Sequence, residues 1–499
     1  MKALLDTNII IHREANTVVN KDIGSLFKWL DKGKYEKCVH PITIEEIKKN
    51  PNPKTVETIL AKIDSYILLK TVAPILPEVA EISDHYDKGK NDVNDSALLN
   101  EVLSDRVDIL ITEDKRMHFK ARLLNVSDKV FNIDSFLEKV VSEHPELIDY
   151  RVLQVRKKHF GEIDVKDSFF DSFREDYPGF EKWFNRKADE IAYITEKDDK
   201  ILSFLYLKTE DRDENYSDVS PVFLPKKRLK IGTFKVVSNG LRLGERFLKI
   251  IFDNAIINRV DEIYVTIFEK RMDQARLINL LEDWGFMKYG KKGEELVYVR
   301  DFTPNYDTEN PKLTFPYFSK NANVFLNPIY PEYHTNLLPD SILKTESPEN
   351  FIESQPHRNA ISKVYISRSW ERNLKCGDII IFYRTGGYHK SVISTIGIVD
   401  DVIFDIEDEA DFIRKCRKRS VFKDLELSEY WNYSESNRPF IVNFLYTYSF
   451  PRRINLAKMI ELGIIKDIES APRGFQKITK QQFETILKET GTDESIIVD

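Results

Sequence analysis

Over residues 1–142, short apolar runs alternate with amphipathic helical patterns, and this alternation constrains the fold more than any other feature. KALLD (2–6), KCVHP (37–41) and VDILITED (107–114) read as strands, the first of them buried. IGSLFKWLDKG, TIEEIKKN, TVETILAKIDSYILL, VNDSALLNEVLS and DSFLEKVV read as helices. In the second, Thr43 is the expected N-cap, with Glu46 three residues on. Strands that alternate with helices predict a parallel α/β sheet.

Sites in such sheets form outside the carboxyl ends of the strands. Asp6 ends the first strand and Asp114 ends VDILITED, while Glu46 and Asp95 are expected near the first turns of their helices. Four carboxylates meeting at one sheet edge repel one another unless cations compensate them. An oxygen-only set suits Mg²⁺ or Mn²⁺ rather than zinc. One or two such ions can hold a phosphodiester, activate water and stabilise the leaving oxygen. Taken singly, each acid reads equally well as a cap or a surface charge, and Asp92 reads as a surface or supporting group.

The blocks LLDTNIII, ITIEEI, VNDSALL and LITED, in that order and spacing, resemble the PIN-domain nucleases. The resemblance implies a metal-dependent ribonuclease, a toxin or RNA-processing enzyme. It makes Asp6, Glu46, Asp95 and Asp114 the catalytic metal ligands, with Thr7, Asn8 and Thr112 orienting them. Glu45 is the alternative to Glu46, which is preferred because Ile47 follows it.

Residues 148–302 carry a strand LKIGTFKVV, a Gly-containing turn, a helix RLGERFLKIIFDNAI, a strand DEIYVTIF and a helix QARLINLLEDWGF closed by Gly285. Backbone N–H groups at such a helix start can bind a pyrophosphate. The pair of blocks is similar to the GNAT acyltransferases, which implies an α+β domain holding acetyl-CoA at Val237, Asn239, Gly240, Arg242 and Gly244. Two positions depart from the family pattern. Arg242 stands where the turn has a central glycine, and Leu281 stands where a tyrosine acts as general acid. Tyr289 lies nearby, off register.

Residues 303–314, rich in Pro, Asn and Asp, read as a linker. From 315 to 490 short strands dominate: NVFLNP, KVYISR, DIIIFYR, VISTIGIVDDV and FIVNFLYTYSF, followed by two helices. Tyr365, Arg368, Trp370, Arg372, Lys375, Tyr383 and Arg384 interleave aromatic and basic groups, as base stacking and phosphate contact require. A half-buried barrel gives the same alternation. The strand order around Gly377-Asp378 and Gly397 resembles PUA-like small barrels of the ASCH and EVE type, here with a helical extension, which implies RNA binding. The basic run 412–423 either contacts phosphate or pairs with its acidic neighbours.

A chain of 499 residues accommodates about three domains of ~150 residues each. Its net charge of −7 excludes a wholly basic nucleic-acid coat protein, and 41% hydrophobic with 31% charged residues argues against general disorder. Cys38, Cys376 and Cys416 form no metal or disulfide pattern and fit a cytoplasmic location. No stretch approaches a membrane span, and PKKRLK (225–230) reads as a solvated loop rather than an import signal. The expected protein is a multidomain α/β endoribonuclease that acts on tRNA or other structured RNA. By family analogy it is a toxin or phage-defence effector with an antitoxin or other regulatory partner. The alternatives are an acyl-CoA-dependent acetyltransferase modifying RNA, aminoacyl-tRNA or a partner protein, and a non-catalytic RNA-binding adaptor.

Overall fold

Ala3, Leu4 and Leu5 are fully buried, so the first strand is covered on both faces, as parallel sheets require. The structure is a computed structural model that describes residues 1–14, 21–143, 155–197, 200–237, 243–341, 360–386, 391–417 and 419–498. The chain is multidomain α/β and divides into two compact units, Met1–Asp149 and Tyr150–Asp499.

Unit 1 contains β1 (Lys2–Leu5), α1 (Thr7–Glu14), α2 (Lys21–Lys32), β2 (Glu36–Val39), α3 (Pro41–Lys48), α4 (Pro53–Ile63) and β3 (Ile67–Leu68). These are followed by α5 (Pro77–Tyr86), α6 (Lys90–Leu103), β4 (Ile109–Ile111), α7 (Lys115–Leu123), β5 (Val130–Phe131) and α8 (Ile133–Glu143). The strands form one parallel sheet in the order β3-β2-β1-β4-β5. Connections run outward one way from β1 to β3 and the other way from β4 to β5, so the direction switches between β1 and β4. On one face Leu4, Cys38 and Leu110 pack against Leu98, Leu99, Met117 and Ala121 of α6 and α7. Two local expectations are corrected. The N-cap of α3 is His40, whose Nδ1 accepts from the Ile42 amide at 3.1 Å ahead of Pro41, and Thr43 lies buried within the helix. The helix expected over TVETILAKIDSYILL ends at Ile63, and Ile67–Leu68 pair with Cys38–Val39.

Unit 2 begins with β6 (Arg156–His159), α9 (Asp171–Asp176), α10 (Phe180–Asn185), β7 (Ile191–Lys197), β8 (Lys200–Glu210) and β9 (Val219–Ser220). It continues through β10 (Arg228–Val236), α11 (Leu243–Asn258), β11 (Glu262–Ile267), α12 (Met272–Asp283), β12 (Met287–Lys292) and β13 (Glu295–Asp301). The eight strands form one sheet, β6-β7-β8-β10-β11-β13-β12-β9, in which only β10 and β11 pair in parallel. The run PKKRLK is not a solvated loop: Arg228 is 1% exposed, lies over the Tyr216 and Phe223 rings, and pairs with Glu262 at 2.8 Å.

The stretch 303–314 expected as a linker contains a short helix, α13 (Pro311–Thr314), and is followed by β14 (Phe318–Ser319). Then come β15 (Val324–Ile329), α14 (Pro331–Leu337), β16 (Ser362–Ser367), β17 (Ile379–Arg384), β18 (Val392–Ile403), β19 (Phe440–Ser449), β20 (Gln476–Ile478) and β21 (Ile497–Val498), with helices at Leu456–Glu461 and Lys480–Thr490. The second sheet runs β16-β19-β18-β17-β15-β20. It is open among the described residues rather than a closed barrel, and is bent by register shifts at Phe382/Tyr383, Ile396/Gly397 and Val399/Asp401. Gly397 is needed there, since a Cβ would stand 2.7 Å from the Phe444 ring. One apolar core joins both parts of unit 2, from Phe252 and Trp284 through Phe315 and Phe318 to Ile379 and Leu445. Arg300, fully buried, clasps the joint. It lies 4.2 Å from the Phe252 ring and donates to the Leu313 and Phe315 carbonyls, and burial lowers its pKa to about 9.

Candidate functional site

The four acids singled out by sequence gather beyond the carboxyl ends of β1 and β4, at the point where the sheet's connections change direction. Asp6 follows β1, and its amide donates to the Ile111 carbonyl of β4 at 3.1 Å. Its Oδ2 accepts from Thr112 Oγ1 at 2.8 Å, and the same Thr112 oxygen accepts the Asp114 amide at 3.0 Å. Asp114 caps α7, with Oδ1 accepting from the Arg116 and Met117 amides at 2.7 and 3.0 Å. Glu46, in the second turn of α3, accepts from Thr7 Oγ1 and, at 2.7 Å, from Asn94 Nδ2. Asp95 of α6 completes the group, and Glu45 is exposed.

Electrostatics ties the four together. Burial pushes Asp6 up to about 6, aided by the Asp114 and Glu46 carboxylates and opposed by the Thr112 hydroxyl and the Thr7 amide. Burial likewise pushes Asp95 up to about 7, aided by Asp114, Asp6 and Glu46 and opposed by Lys120. Asp92 stands apart. It accepts the Lys88 amide at 3.0 Å and pairs with Arg116 at 2.9 Å, which together hold its pKa down.

These donors suit a hard divalent cation: all are oxygens, they share a partly desolvated space, and like charge raises two of their pKa values. Among the described residues no three His, Cys, Asp or Glu side chains stand as a metal-binding group. A physical reason is visible in the hydrogen bonds: Asp6, Glu46 and Asp114 turn oxygens toward protein donors. The orienting residues are revised. Thr7 and Thr112 bind the acids as expected, but Asn8 is exposed and its side chain makes no hydrogen bond to a described residue. Asn94 does that work instead, and its only sequence signal is its place beside Asp95.

In unit 2, β10 and β11 are in register from Arg228/Glu262 to Ile231/Val265 and part beyond, although both strands continue. A bulge at Gly232 displaces β10 against β8, and a Cβ on this glycine would stand 2.7 Å from the Tyr206 ring. Past the parting, α11 begins at Leu243, and Gly244 lets it approach Leu280 of α12 closely. Val237 is partly buried at the end of β10, while Asn239, Gly240 and Arg242 lie outside the described residues. Leu281 is buried core, and the Tyr289 hydroxyl, on β12, donates to the Val222 carbonyl. Beyond the end of β11, Tyr177 packs against Phe268 and donates to Glu295 at 2.5 Å, and Arg271 pairs with Asp176 at 2.7 Å.

The seven aromatic and basic residues of 365–384 separate into core and surface. Tyr383 is buried, Tyr365 donates to the Pro328 carbonyl, and Arg372 is held by Asn437 and the Arg438 carbonyl. Trp370 is 82% exposed, and Arg368 lies 4.6 Å from both the Tyr430 and Tyr433 rings. Lys375 is exposed and Arg384 partly buried. The basic run 412–423 pairs with acids: Arg414 and Lys415 with Asp411, and Arg417 with Asp424. The three cysteines are free, and among the described residues no helix is long and apolar enough to cross a membrane.

No protein-family model matches the chain, and no curated protein matches it. Solved structures match it in part. The chain is similar to a ZmASCH mutant protein from Zymomonas mobilis, at 12% identity over 33% of this chain and 95% of that one, with a TM-score of 0.24. It is similar to the Campylobacter jejuni N-acetyltransferase PseH in complex with acetyl coenzyme A, at 13% identity over 30% and 99%, TM-score 0.20. Human THYN1 in complex with 5-methylcytosine-containing DNA gives 15% identity over 34% and 99%, TM-score 0.21. Likenesses at these TM-scores carry no argument, and the architecture stands on the strand orders and registers above.

Proposed function

We propose that residues 1–149 carry a metal-dependent hydrolase of RNA phosphodiesters. The observation that carries this reading is the convergence of Asp6, Glu46, Asp95 and Asp114 from four separate segments, where burial and then the neighbouring carboxylates raise the pKa values of Asp6 and Asp95. These four residues would hold one or two Mg²⁺ or Mn²⁺ ions. A divalent ion held there would polarise the phosphodiester and lower the pKa of the attacking water. Thr112 holds Asp6 and the backbone of Asp114 in one unit, and Thr7 with Asn94 fixes Glu46 from two sides. The Asp95 side chain makes no hydrogen bond to a described residue, and burial with its acidic neighbours pushes its pKa up to about 7.

The test is cleavage of total cellular RNA by the full chain with Mn²⁺, Mg²⁺ or chelator, beside Asp6→Asn and with or without acetyl-CoA. Discrete metal-dependent products that vanish in Asp6→Asn are expected. Cleavage by Asp6→Asn at the wild-type rate, or no cleavage with either ion, would overturn the assignment.

A second reading, acyl transfer in unit 2, is favoured by the parting of β10 and β11 ahead of α11, which opens the parallel pair to a ligand. The acceptor would be RNA, aminoacyl-tRNA or a partner protein. Buried Leu281 cannot serve as general acid, so this reading needs another proton donor. Acetyl-CoA binding with release of free thiol, in a chain that cuts no RNA, would select it.

A further inference from the structure

Beside the acidic site, unit 1 exposes a short run of rings that its core does not use. Tyr86, at the end of α5, is 42% exposed, and Phe119 of α7 is 38% exposed. The two rings meet edge to face at 5.3 Å. His85 extends the run on one side at 4.6 Å from the Tyr86 ring, and the Arg122 guanidinium extends it on the other at 5.9 Å from the Phe119 ring.

The placement relative to the acids is set by α7. Asp114 caps this helix, so Phe119 and Arg122 follow it along one rigid element. At ~1.5 Å per residue they stand about 7 and 12 Å farther along the axis, the reach of a nucleotide or two of extended strand. Local charge differs from that of the chain as a whole, which carries −7. Across 81–90 and 115–123 the exposed charged groups are Lys88, Lys90, Lys115, Arg116 and Arg122 against Glu81 and Asp84. Arg116 spends one donor on Asp92 yet keeps 70% of its side chain exposed.

We propose that Tyr86 and Phe119, flanked by Arg116 and Arg122, form a stacking platform that seats single-stranded RNA next to the four acids. The assignment rests on the hydrolase reading of that site and gives it a substrate form. Exposed rings can stack on unpaired bases, whereas bases in a duplex are already stacked inside it. Interleaved cations meet the phosphates. An apolar partner surface would want the rings without so many charges around them.

The test uses the full chain carrying Asp6→Asn, so that RNA is bound without being cut, and a fluorescein-labelled oligouridylate read by fluorescence anisotropy. Adding Phe119→Ala or Tyr86→Ala is expected to weaken binding roughly tenfold, while Phe119→Tyr stays within about twofold. Adding Arg122→Ala lowers the slope of log affinity against log salt by roughly 0.7. The same strand annealed to oligoadenylate should bind more weakly than the single strand. The platform is wrong if the alanine variants bind like their parent, if duplex binds as tightly as single strand, or if the parent does not bind. Both side chains are exposed, and circular dichroism confirms that the variants fold. A wild-type chain that binds through these rings but never cuts RNA retires the hydrolase reading alone. One that cuts RNA while Phe119→Ala leaves affinity unchanged retires the platform alone.

Discussion

Asp6 and Asp95 bind protons more tightly in the folded chain than in the unfolded one, where an aspartate titrates near 3.8. The folded form therefore holds the extra protons between about pH 4 and about pH 7, and stability falls as pH rises through that window. In chelator, Asp6→Asn should stabilise unit 1 by roughly 1–2 kcal/mol at neutral pH and by nothing near pH 4, where wild-type Asp6 is itself mostly protonated. Hydrogen exchange of the β1 and β4 amides reads the difference, and equal protection in both proteins at neutral pH would contradict it. Much of this site is legible in the sequence, because acids at the ends of apolar runs can go nowhere but the sheet's carboxyl edge. Asn94 and Asn8 were not separable that way. An amide beside a candidate acid carries no mark of whether it turns inward, and here the one on α6 does while the one on α1 does not.

At the scale of elements, α11 is the piece whose role extends beyond its own sheet. Glu245, in its first turn, is buried and accepts the Ile361 and Ser362 amides at 2.8 and 3.0 Å, so the helix start is tied to the beginning of β16. Glu245→Ala strips the acceptor from two buried N–H groups and should cost about 3 kcal/mol, with Glu245→Gln costing less. Faster exchange of the Ile361 and Ser362 amides in the alanine variant is the measurement, and unchanged exchange would refute the tie. Elements with a strong apolar period, such as α11, β17 and β19, stand where the sequence puts them. β12 did not announce itself. Met287–Lys292 is mostly exposed, so no alternation marks it, and it is a strand because β13 and β9 pair with it on either side.

At the scale of the whole molecule, the two modules of unit 2 share one apolar core across the segment that reads as a linker. Phe315 and Phe318 are buried in that core and Arg300 fastens the segment, a long-range outcome that composition could not reveal because Pro, Asn and Asp dominate the residues before it. Residues 150–302 expressed alone should therefore expose apolar surface and melt without cooperativity, whereas 150–499 should unfold in one sharp transition. Calorimetry of the two fragments checks this, and a sharp transition in the shorter one would contradict it.

If the four acids of unit 1 cut RNA with a divalent ion, as proposed, the single-turnover rate of cleavage of a labelled RNA in Mn²⁺ by wild type, Asp6→Asn and Asp95→Asn reads it out. Wild type should cleave in a way that chelator abolishes, and each variant should lose at least about a hundredfold. Cleavage at the wild-type rate by either variant would contradict it.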